Sequence, residues 1–108
     1  MSTPDDVLRA IRDTRADLLR GAGVLEAAEL AAERAEDAAQ LVFDKILMSV
    51  DGSIPEKQAQ ARAGSAEERD AAFVAHAAHS RVKTRIRALE SALVSLQAEL
   101  KWMKEEGA

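Results

Sequence analysis

At 108 residues the chain has room for one domain, and its formal net charge of −4 is the reverse of the basic balance that marks a dedicated nucleic-acid binder. Hydrophobic residues make up 47% but aromatic residues only 3%, so the core is thin, and small helical chains with thin cores lean on a partner for stability. The lack of cysteine excludes disulfides and thiolate chemistry, and no apolar run approaches the roughly 20 residues that span a bilayer.

The first helix opens at a cap. Thr3 stands before Pro4 at the first helical position, with Asp5 and Asp6 on the positive end of the helix dipole. The same opening residues lack the basic-then-apolar order of a signal peptide, which makes the cytoplasm the expected location. The helix is predicted over residues 4–49, with Gly21 and Gly23 read as a kink rather than an end. Asp51-Gly52 closes it, and a turn over 50–54 follows. Ser53-Ile54-Pro55-Glu56 fits a capping box, in which a Ser and a Glu three residues later satisfy each other's backbone donors. It starts a short helix at 55–63. Ser65-Ala66-Glu67-Glu68 fits the same pattern after Gly64 and starts a long helix at 66–105.

Apolar spacing predicts how these helices meet. Val7, Ile11, Thr14, Leu18, Gly21, Leu25, Ala28, Ala32, Ala35, Ala39, Val42 and Ile46 follow a three-four spacing. So do Ala72, Ala75, His79, Val82, Ile86, Leu89, Leu93, Leu96, Leu100 and Met103. Two such seams imply supercoiled helix packing. Folding back near Ser53 sets the alanine-rich stretch 27–39 against 71–78 and bulky against bulky elsewhere. The expected fold is therefore all-α: one domain over 1–108, a long antiparallel coiled-coil-like hairpin with a short helix at its turn. Other apolar residues miss the seams. Leu8, Leu19, Leu30 and Leu41 recur every eleven residues, a nearly straight stripe on a helix, and Phe73, Val74 and Trp102 also point away. A two-helix hairpin has no interior for them, so they are the expected interface of a homo-oligomer; scattered surface apolars are the plainer alternative.

The charge pattern singles out the last helix. No acid occurs between Asp70 and Glu90, where Arg81, Lys83, Arg85 and Arg87 cluster with His76, His79, Ser80 and Thr84. Lys83 and Arg85 flank the seam, within expected reach of Glu26 or Glu29. Arg81 and Arg87 project further out and are candidates for phosphate contact, with Arg20 beside them in the folded hairpin. A solvated, salt-bridged helix face is the competing reading.

Two metal-binding arrangements are conceivable. Glu33-x-x-Glu36 and Glu67-x-x-Asp70 resemble the paired carboxylates of all-α nucleotide pyrophosphohydrolases, which hold Mg²⁺ between helices. The long segment between the pairs, and the lack of a Lys or aromatic nucleotide pocket, depart from that family. His76-x-x-His79 shares a helix face and could take a transition metal with Glu29 or Glu33, but His79 falls on the seam, where a packed histidine is the simpler reading. No Ser/His/Asp set and no phosphate loop is present. The expectation is a non-enzyme without metal or other cofactor.

The order of features resembles a family. A long first helix is followed by Ser53-Ile54-Pro55-Glu56-Lys57-Gln58-Ala59-Gln60-Ala61, a break, an Ala-rich helix and a closing run from Arg87 to Lys101. This is similar to small helical proteins from the replication–recombination modules of bacteriophages and prophages, akin to recombination mediators. The resemblance covers roughly residues 25–101. It implies a ring or higher oligomer, basic helix residues on single-stranded DNA, and a recombinase or single-strand-binding protein as partner. A weaker likeness, to secreted helical hairpins with a Trp-x-Gly turn, is at odds with Val50-Asp51-Gly52 here. The function expected is a non-enzymatic oligomeric accessory protein of phage recombination or replication. The alternative is a structural or protein-binding coiled-coil module, an inhibitor of a host protein included, without nucleic-acid binding.

Overall fold

A computed structural model describes residues 2–107, which form three helices and no strand: α1 (Pro4–Ser49), α2 (Ile54–Gly64) and α3 (Ala66–Gly107). At the head of α1, the Asp6 amide donates to Thr3 Oγ1 at 3.2 Å and the Thr3 amide donates to Asp6 Oδ2 at 3.1 Å. Two amides at the helix end are thus satisfied reciprocally. Hydrogen bonding to the carboxylate, from the Thr3 backbone first and its side chain second, holds the Asp6 carboxyl below its usual 3.8. The helix runs unbroken through Gly21 and Gly23. Thr14, a polar residue on the α1 seam, is self-sufficient, its hydroxyl donating to the Ala10 carbonyl at 2.8 Å. Past Ser49, Gly52 takes the positive φ of 129° that side chains rarely tolerate.

The two serine caps behave differently. Ser53 is extended, with φ −70° and ψ 162°, and its Oγ accepts from the Glu56 amide at 3.4 Å. That is N-cap geometry. Ser65 was expected to do the same for α3 and does not. It is the sole residue between α2 and α3, with φ −106° and ψ 12°, and so lacks the extended backbone a cap requires. Its hydroxyl turns back instead, donating to the Ala61 carbonyl at 2.7 Å, and the residue is fully buried. Glu68, the expected other half of that box, is left with one shielded carboxylate oxygen that has no hydrogen-bond partner. Arg69 crosses the junction, its guanidinium donating to the Arg62 carbonyl at 2.6 Å and satisfying an end of α2.

The chain divides into two compact units. One takes α1 as far as Leu25 and α3 from Arg81 onward; the other is Glu26–Ser80. The second gathers the alanine-rich stretches 27–39 and 71–78, and the first gathers the bulky seam residues other than Val42 and Ile46. Within the second unit, a β-carbon placed on Gly64 would run into Ile46 Cδ1, and His76 Nε2 lies 3.2 Å from Glu36 Oε2. Within the first, a β-carbon on Gly21 would sit 3.4 Å from Ile86 Cγ1. Every seam position named from spacing is buried or half-buried. The buried apolar residues are Val7, Ile11, Ala32, Ala39, Ala61 and Ala72, mostly alanines, so close backbone approach takes the place of bulky side chains.

Candidate nucleic-acid and protein interface

Arg81, Lys83, Arg85 and Arg87 are all exposed on α3. None of them makes an ion pair among the described residues. Helical spacing splits the cluster. Arg81 and Arg85, four apart, share one flank of the Val82–Ile86 seam, and Lys83 and Arg87 share the other. Ser80 and Thr84, which lie among them, are engaged in interactions of their own.

Arg20 is brought to one flank only. It pairs with Asp17 on its own helix, and both line a groove with Gly21, Val24, Val82, Arg85, Ile86 and Leu89. The groove has an apolar floor because Gly21 presents no side chain to Ile86. Arg20 and Arg85 are thus neighbours, while Arg81 and Lys83 stand off the groove. Arg87 borders a shallower depression with Glu90, Ser91, Val94 and Ser95.

The off-seam apolar residues stand in solvent as their spacing required. Leu8, Leu19 and Trp102 are exposed in the first unit, and Leu30, Leu41, Phe73 and Val74 in the second. Phe73 and Leu19 are the most open of these, at 75% and 79%. Val24, Met48, Ile54 and Val94 are exposed as well and were not singled out from the sequence. The signal was there for Val24 and Val94, which also miss the heptad positions.

The carboxylate and histidine candidates are not assembled. Glu36 takes up His76, both of them solvent-accessible, and His79 is half-buried on the seam. No group of three or more His, Asp or Glu with metal-holding geometry occurs among the described residues, so Glu33, Glu36, Glu67 and Asp70 do not converge. Nor is any described helix long and apolar enough to cross a membrane. The chain matches no protein-family model, no curated protein and no solved structure.

Proposed function

We propose that this protein is a self-associating helical accessory factor, with α1 and α3 antiparallel within each unit, that contacts single-stranded nucleic acid through residues 81–87 of α3. The observation that carries this reading is the set of four exposed cations without an ion pair among the described residues. A solvated structural face of this charge density would be expected to recruit carboxylates, as Asp17 is recruited by Arg20. Phosphates supply the missing anions without demanding a base sequence. The resemblance to phage recombination mediators agrees in kind, and a recombinase or single-strand-binding protein is the partner it implies.

Self-association has its own support. Leu8, Leu19, Leu30, Leu41, Phe73, Val74 and Trp102 are large apolar side chains left exposed, and a second copy of the chain would cover such surface. Assembly also answers the acidic net charge, since it repeats the basic segment and multiplies weak contacts. A second reading rests on the exposed leucines and Phe73: a coiled-coil module that binds another protein, a host enzyme included, and no nucleic acid.

Fluorescence anisotropy with a labelled single-stranded oligonucleotide separates the two. Binding at low salt should fall steeply as salt rises, depend little on sequence, and be abolished by Arg81→Glu/Arg87→Glu, one residue from each flank. A parent protein that fails to bind at low salt leaves the protein-binding module as the function.

A further inference from the structure

The groove between Arg20 and Arg85 has a complement elsewhere on the same chain. Its floor is apolar, from Gly21, Val24, Val82 and Ile86, and its two arginines are exposed at the rim, Arg20 tied to a single carboxylate. Near the end of α3 stands Trp102, 59% exposed and the only tryptophan in the chain. Residues three and four away along a helix share a face, so Glu99, Glu105 and Glu106 ring Trp102, while Lys101 and Lys104 fall on other faces. An aromatic knob ringed by three carboxylates matches an apolar groove rimmed by two arginines.

Trp102 cannot serve its own groove. It lies beyond Leu89, the far edge of the groove on α3, by roughly 20 Å of helix at 1.5 Å per residue. We propose that the groove receives the Trp102 face of a second copy of this chain, with Glu105 and Glu106 of that copy meeting Arg20 and Arg85. Each copy carries both the knob and the groove, so one twofold axis can bury two such contacts. Buried Trp and Arg are the residue types that dominate association energy at interfaces. The inference rests on the self-association reading and names the surface that performs it. The basic residues then divide between two partners, with Arg20 and Arg85 facing the second copy and Arg81 and Arg87 left for phosphate.

The single tryptophan makes the test direct. Intrinsic fluorescence of the full chain is followed over a concentration series, with sedimentation velocity on the same samples. Emission should shift to the blue as the assembly forms. Trp102→Ala should weaken association by about thirtyfold or more, the scale of a hot-spot truncation. Arg20→Glu/Arg85→Glu should weaken it and abolish the blue shift, and adding Glu105→Lys/Glu106→Lys should restore both, a rescue that misfolding cannot mimic. If sedimentation shows an assembly while the emission stays that of a water-exposed indole, another face pairs the copies: this proposal falls and self-association stands. A chain that remains monomeric overturns both.

Discussion

Three glycines in helices offer the same substitution in three packing environments. Gly23 has nothing within 4 Å of where a β-carbon would stand; Gly21 would meet Ile86 Cγ1 at 3.4 Å; Gly64 would overlap Ile46 Cδ1. None of the three has a positive φ, so each accepts alanine as far as the backbone is concerned. Replacing a helical glycine by alanine gains about 0.8–1.0 kcal/mol from the reduced conformational freedom of the unfolded chain. Gly23→Ala should keep all of it, and Gly21→Ala most of it, because 3.4 Å is ordinary contact. Gly64→Ala must push aside Ile46 Cδ1, the free end of a half-buried side chain that can rotate away at a rotamer cost of about 0.5–1.5 kcal/mol. That cost offsets the gain, so Gly64→Ala should lie within about 1 kcal/mol of the parent and below Gly23→Ala. At about 4–8 °C per kcal/mol for a domain of this size, Gly23→Ala should melt several degrees above the parent and Gly64→Ala close to it. Circular dichroism melts at one fixed protein concentration measure this, because association makes Tm concentration-dependent. Gly64→Ala melting as high as Gly23→Ala would show that α2 does not close against Ile46, and the reasoning about that contact would fail.

The alanine band makes a second test: Ala32→Leu, at a buried site, should destabilise by about 1–3 kcal/mol in thermal melts, whereas Ala31→Leu, exposed on the same helix, should stay close to the parent. The Thr3–Asp6 cap predicts a pH effect. Asp6 is held below its usual 3.8, so its contribution is fully present above that value and is lost as pH falls through the lowered folded value. An NMR titration of the Asp6 carboxyl should place its midpoint below 3.8, and Thr3→Ala, which keeps the backbone donor and removes only the hydroxyl, should raise it part of the way.

Much of the local structure was legible in the residues. Thr3 and Ser53 marked helix starts that the structure places at Pro4 and Ile54, because a cap is a bond between residues three apart and needs no distant partner. The three-four spacing marked the seams, since a helix turns its residues to one face whatever it packs against. It marked the complement too: Leu8, Leu19, Leu30 and Leu41 stand open because eleven residues are close to three turns.

The failures share a cause. Ser65 has the residues of a capping box, but α2 and α3 meet with one residue between them, and the junction fixes its backbone where it cannot cap. Which partner a charged side chain meets depends likewise on how the helices are set beside each other, and spacing along one helix does not fix that. The same setting gives His76 to Glu36 and brings Arg20 and Arg85 to one groove. By itself the sequence determined which residues turn inward and where the first two helices begin, because those outcomes follow from interactions within a few residues. Which charged side chains meet, and where a groove opens, was decided by tertiary packing, because those outcomes depend on contacts between residues tens of positions apart.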